Sequence, residues 1–141
     1  MAPRITARID GACTPVNPGG IATYGAVVYR DGKKIHEMCG VAAEGELASN
    51  NVGEYAALVA LLEWLLSAGM TSDVTIEADS SLVVNQMNGA WKCNDGLCSG
   101  KRDEAFDLAS KFTGITFRWI PREKNGEADA LTRRAYIERA K

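Results

Sequence analysis

The sequence predicts an α/β fold: one five-stranded mixed sheet, with strands 1-2-3 antiparallel and strands 1-4-5 parallel, flanked by helices. Three observations predict it. Three N-terminal runs alternate apolar and polar residues and are joined by turn residues. The remainder alternates short strand-like runs with segments of helical period. The connections are short, with no repeat, linker or low-complexity tract. At 141 residues, 46% hydrophobic and 24% charged, the chain is long enough to bury a core without disulfide or metal staples, so a single domain over residues 1–141 is expected.

From Arg4 to Cys13, Ile5, Ala7 and Ile9 share one parity and Thr6, Arg8 and Asp10 the other, the pattern of a half-buried strand ending near Asp10. Thr14-Pro-Val-Asn-Pro-Gly-Gly20 follows as a loop, because proline donates no ladder bond and glycine accepts unusual dihedrals. Ile21 to Arg30 and Lys33 to Ala42 form a hairpin about Asp31-Gly32, a two-residue turn signal. Tyr55, Leu58, Val59, Leu62, Leu65 and Leu66 recur at helical spacing, which predicts a helix over 52–68 closed by Gly69. Val74, Ile76 and Ala78 alternate with Thr75, Glu77 and Asp79 in the fourth strand, and Ser80 or Ser81 caps a helix running to Met87. Residues 89–100 read as loop, Lys101 to Phe112 as helix, Ile115 to Ile120 as the fifth strand and Asn125 to Arg139 as the last helix. A meander followed by crossovers places the first and fourth strands side by side and parallel.

Composition narrows the function less than the fold. The longest apolar stretch, Tyr55 to Leu66, contains Glu63 and falls short of the roughly 20 residues a membrane span needs. The N-terminus carries no apolar run of signal-peptide length, so a cytoplasmic protein with reduced Cys13, Cys39, Cys93 and Cys98 is expected. Cys93 and Cys98, with four residues between them and no second pair, make a poor zinc site. His36, the one histidine, suits a structural or solvent-facing place on the hairpin. Net charge is −2, but residues 1–91 hold 5 basic and 10 acidic groups while residues 92–141 hold 11 and 8. The asymmetry permits a basic binding face beside an acidic site and equally describes an uneven solvated surface.

Four acids carry the chemistry. Asp10 and Asp79 lie at the carboxyl ends of neighbouring parallel strands, where α/β sheets bind ligands. Glu54 is expected in the first turn of the long helix and Asp129 near the start of the last. Taken singly, each reads better as an N-cap, a turn or a surface residue than as a ligand. Converged, they would repel one another unless a cation held them, and oxygen donors without His or Cys select Mg²⁺ or Mn²⁺. A pair of such ions can activate water and stabilise a leaving oxygen in phosphodiester hydrolysis.

In motif and order the chain resembles the type 1 ribonucleases H. Ile9-Asp-Gly-Ala-Cys-Thr-Pro-Val-Asn-Pro-Gly-Gly20 is similar to that family's first strand and glycine-rich turn. Ser49-Asn-Asn-Val-Gly-Glu-Tyr-Ala-Ala-Leu58 is similar to its acidic helix start, Glu77-Ala-Asp-Ser-Ser-Leu-Val-Val84 to its third motif and Asn125-Gly-Glu-Ala-Asp-Ala-Leu131 to its last. The resemblance implies an endonuclease that cuts the RNA strand of RNA–DNA hybrids to 5′-phosphate and 3′-hydroxyl ends. It makes Asp10, Glu54, Asp79 and Asp129 the ligands of two Mg²⁺ ions, with Mn²⁺ as a substitute. It places Gly11, Cys13, Asn17, Asn50 and Asn51 against the hybrid minor groove, where 2′-hydroxyls are accessible. It also gives Ser49 and Asn50 a DNA phosphate and Trp91 a DNA sugar. No obligatory protein partner is implied, so a monomer is expected.

Two departures stand out. The long basic protrusion of some relatives is absent between Met87 and Phe112, and Ile120-Pro-Arg-Glu-Lys-Asn125 lacks the histidine that many members carry there. Arg122, Glu123 and Lys124 are the candidates to replace it in proton transfer or product release. Arg122 is preferred because a guanidinium grips a departing phosphate bidentately. Two other readings remain: a non-catalytic hybrid-binding module, disfavoured by the intact acids, and a related metal-dependent nuclease with another nucleic-acid substrate, disfavoured by the asparagine pair.

Overall fold

The computed structural model describes residues 3–89 and 96–140. The chain runs β1 (Ile5–Thr14), β2 (Ile21–Arg30), β3 (Lys33–Glu44), α1 (Asn50–Ser67), β4 (Val74–Ala78), α2 (Ser81–Met87), α3 (Gly96–Ala109), β5 (Ile115–Trp119) and α4 (Gly126–Ala140), with a 3₁₀ turn at Arg122–Lys124 before α4. The sheet order is β3-β2-β1-β4-β5. β1, β2 and β3 pair antiparallel, while β4 pairs parallel with both β1 and β5. This is the expected architecture.

One face of the sheet supplies the main core. Ile5, Ala7 and Ile9 of β1 and Val74, Ile76 and Ala78 of β4 pack with Tyr55, Leu58, Leu62 and Leu65 of α1 in one buried cluster. Each large aliphatic side chain removed from water there stabilises the fold by about 1.5–3 kcal/mol. α4 covers the other face. Gly25, of opposite parity to the core residue Ala26, lets it approach, since a Cβ there would stand 2.5 Å from the Ala128 carbonyl oxygen. The predicted hairpin is present, with Asp31 and Gly32 both at positive φ between paired Arg30 and Lys33.

Several boundaries differ from expectation. β1 does not end near Asp10 but continues to Thr14 in its pairing with β2. Only its parallel pairing stops early, at Ile9 with Ala78, so Asp10 lies one residue past the last β1–β4 rung. Ser49 caps α1 by accepting from the Val52 N–H, which starts the helix at Asn50 and moves Glu54 out of the first turn into the second. The predicted loop 89–100 gives way to helix from Gly96, and α3 ends at Ala109 rather than Phe112. Packing of Ala105, Phe106, Leu108 and Ala109 against the core outweighs the poor helix propensity of its glycine-containing start. β3 extends two residues to Glu44, β5 stops at Trp119, and α4 begins at Gly126 because Asn125 is engaged elsewhere.

His36 stacks on Trp64 with ring centroids 4.1 Å apart and an interplanar angle of 4°, a structural place on the hairpin. Cys13 and Cys39 are free thiols. The question of zinc at Cys93 and Cys98 lies outside the described residues. Among the described residues, no helix is long and apolar enough to cross a membrane.

Candidate active site

The β1–β4 register decides the site. Because Ile9 pairs with Ala78, the next residue on each strand, Asp10 and Asp79, emerges beside the other at the carboxyl end of the parallel pair. Gly11 brings α1 to the same place: a Cβ there would stand 2.1 Å from the Glu54 backbone nitrogen, so only glycine permits this approach. Glu54 thereby reaches the two aspartates. Asp10, Glu54 and Asp79 each offer a carboxylate oxygen within 4.8 Å of the others.

Asp10 is 7% exposed and Glu54 3%. Burial, then repulsion from Asp79 and Asp129, pushes the Asp10 carboxyl up to about 7. Burial, then repulsion from Asp10 and Asp79, drives Glu54 well above the usual carboxylate range. Its Oε2 is buried without a hydrogen-bond partner. Three hard oxygen donors, no sulfur or imidazole among them, an orphaned buried oxygen and repulsion that positive charge would relieve together fit divalent cations.

Asp129 stands apart from this triad. On the first turn of α4 it ion-pairs with Arg133, Oδ2 to Nη2 2.8 Å, while lining one cleft of about 230 Å³ with Asp10, Gly11, Asn50, Arg122 and Arg133. Arg122 therefore faces the acids, where the sequence put its candidate. The structure brings predicted substrate-contacting residues of the β1–β2 loop and of the start of α1 together. Asn17 Nδ2 donates to Asn50 Oδ1 at 3.0 Å, and the Asn50 backbone N–H donates to Asn17 Oδ1 at 3.2 Å. Asn51 follows in the first turn of α1, Ser49 serves as its cap, and the Cys13 thiol donates to the Val16 carbonyl at 3.1 Å. Trp91 lies outside the described residues.

Sequence reasoning missed Asn125. Fully buried, it donates from Nδ2 to the Ile9 carbonyl at 2.8 Å and to Asp79 Oδ2 at 3.1 Å, tying the loop before α4 to β1 and fixing one acid. The Trp119 indole N–H donates to the Asp79 carbonyl at 3.1 Å. Arg133 was missed too, although its position four residues after Asp129 is a helical ion-pair spacing.

Comparison with known proteins agrees with this geometry. A family model described as "Reverse transcriptase-like" matches residues 8–135. Ribonuclease HI of Halobacterium salinarum is 38% identical over 136 residues, covering 94% of this chain and 64% of that protein. The crystal structure of RNase H1 from the same organism superposes with a TM-score of 0.85 at 34% identity, covering 96% of this chain and 98% of that one. LC11-RNase H1, isolated from compost and crystallised in complex with an RNA/DNA hybrid, gives a TM-score of 0.87 at 31% identity, with 98% and 100% coverage. The chain spans less than two thirds of the length of the halobacterial protein, and 31% of the bifunctional protein Rv2228c of Mycobacterium tuberculosis, with which 119 residues are 39% identical.

Proposed function

The chain belongs to the type 1 ribonuclease H family, and from that premise we propose that it is an endonuclease hydrolysing the RNA strand of RNA–DNA hybrids, leaving 5′-phosphate and 3′-hydroxyl ends. The convergence of Asp10, Glu54 and Asp79 from three separate elements, two of them buried at an electrostatic cost, carries the reading. Asp10, Glu54, Asp79 and Asp129 would hold two Mg²⁺ ions, for which Mn²⁺ can substitute. Bound there, divalent cations supply an activated water and charge stabilisation for the leaving oxygen.

The remaining residues bind and orient. Asn125 holds the Asp79 carboxylate in one rotamer by its 3.1 Å bond. Arg122 contacts the departing phosphate from across the cleft and takes the place of the loop histidine. Asn17 and Asn50, fixed by their mutual bonds, present with Asn51, Gly11 and Cys13 a polar ridge to the minor groove, where an RNA strand differs from DNA by its 2′-hydroxyl. Ser49 and Asn50 receive a phosphate of the DNA strand. Residues 1–141 form one catalytic domain that works as a monomer in the cytoplasm.

A strand-labelled hybrid incubated with the parent protein and with Asp10→Asn and Asp79→Asn, in Mg²⁺ and in Mn²⁺, tests this. Metal-dependent cutting of the RNA strand alone, lost in both variants, is expected. A folded parent that binds hybrid without cutting it, or that cuts duplex DNA equally well, would overturn the reading.

A further inference from the structure

We propose that Arg133 is an exchangeable counter-cation: it neutralises Asp129 while no divalent cation is held there and passes to the substrate phosphate when a cation takes that carboxylate. The inference rests on the hybrid-nuclease reading and assigns a phosphate-binding role to a residue that reading does not use.

Asp129 is the one acid of the four already compensated by a nearby arginine. Its carboxylate lies outside the 4.8 Å triad and instead forms an ion pair with Arg133 at 2.8 Å. The pair is also weak. Arg133 is 75% exposed and Asp129 35%, so solvent screens their attraction, and an exposed i,i+4 ion pair cannot compete with a divalent charge on the same carboxylate. Displacement costs little.

The surroundings give the freed guanidinium a destination. Arg133, like Asp129, lines two clefts. One is the polar cleft that also holds Asp10 and Arg122; the other, of about 390 Å³, is lined by Ala12, Thr14, Thr132, Tyr136 and Ile137. Its aliphatic stem can lie along the second cleft while its head turns into the first. Arg122 makes no ion pair among the described residues. Exchange at Asp129 would therefore present a phosphodiester with two guanidinium groups, and only after the metal site has filled, which couples substrate grip to metal loading.

Arg133→Gln and Arg133→Lys test the exchange. In hybrid-free protein titrated with Mn²⁺ and followed by electron paramagnetic resonance, Arg133→Gln should tighten the weaker class of site by roughly two- to fivefold, the equivalent of an exposed pair. With strand-labelled hybrid, the same variant should raise KM more than it lowers kcat and flatten the slope of log KM against log salt by about one, the mark of one lost phosphate contact. Arg133→Lys should restore the slope. Unchanged Mn²⁺ affinity in Arg133→Gln, or an unchanged salt slope, overturns the proposal. A parent that leaves hybrids intact overturns the nuclease reading separately, while the Mn²⁺ titration, which needs no turnover, still decides whether Arg133 competes for Asp129.

Discussion

Asp10→Asn should make the metal-free protein more stable, and by an amount that depends on pH. In the folded state the Asp10 carboxyl lies at about 7, against an ordinary value of 3.8. A carboxyl raised by folding holds its proton more tightly in the native chain. Its favourable contribution is complete below the unfolded value and is lost as pH rises through the folded one, so the native state is progressively penalised between pH 3.8 and about 7. At about 1.4 kcal/mol per unit, the full penalty at pH 8 is about 4 kcal/mol. Asparagine keeps an oxygen to accept the Gly11 N–H, which bonds Asp10 Oδ1 at 3.0 Å, and carries no charge to repel Asp79 or Asp129.

The expected gain is therefore about 2–4 kcal/mol at pH 8 and near zero at pH 4. For a domain of this size it corresponds to a rise in Tm of roughly 6–15 °C. Calorimetry in EDTA across pH 4–8.5 measures it. Adding Mg²⁺ should then raise the Tm of the parent by mass action and that of the variant much less, narrowing the gap. A variant no more stable than the parent at pH 8, or equally stabilised at pH 4 and pH 8, would refute the account of these acids as an unrelieved cluster.

Other perturbations test neighbouring parts of the structure. Glu77→Gln should destabilise by about 1–3 kcal/mol in urea at pH 7, because the carboxylate accepts charged hydrogen bonds from Arg8 at 2.9 Å and from Arg118. Burial opposes ionisation of Glu77, but those two arginines hold it below the usual range. The cost should therefore be present above the ordinary Glu value and shrink as pH falls through the folded one, the reverse of Asp10. Asn125→Ala should cost about 1–3 kcal/mol of stability by orphaning the Ile9 carbonyl, and should lower kcat more than it raises KM because Asp79 is freed; equal stability by denaturant titration would rule this out. Arg122→Ala should slow hybrid cleavage about tenfold at saturating Mg²⁺, and wild-type turnover would remove Arg122 from the mechanism. Gly11→Ala should unfold the protein or shift α1, since its Cβ would meet backbone at 2.1 Å; an intact, active variant would contradict the close approach.

Much of this was legible in the sequence, and the misses have physical causes. Alternation with a two-residue turn specified the β1–β3 meander, and strand–helix alternation specified that β1 and β4 lie parallel, which is enough to juxtapose Asp10 and Asp79. Helix starts were read less well. The periodicity of α1 sets its apolar stripe from Tyr55 onward, whereas its start depends on one hydroxyl–amide bond at Ser49. The start of α3 at Gly96 runs against local propensity. Asn125 was illegible because its partners, Ile9 and Asp79, are 116 and 46 residues away, and nothing local marks an asparagine as buried. Glu77 reads as solvent-facing by alternation, yet it is 1% exposed.

That last exception sets the acid cluster against a second buried acid on the same sheet. The strand registers set Arg8, Glu77 and Arg118 in one row across β1, β4 and β5. Two residues further along, on the same parity, come Asp10 and Asp79. Both rows bury an acid that burial alone would neutralise. In the first, two arginines compensate it and the carboxyl falls below its usual value; in the second, the neighbours are acids and the carboxyl rises to about 7. The fold thus has a way to neutralise a buried carboxylate with its own side chains and does so one turn of the pleat away. Asp10, Glu54 and Asp79 make no ion pair among the described residues, so once they ionise a cation bound there relieves a repulsion that in the neighbouring row the fold relieves with its own arginines.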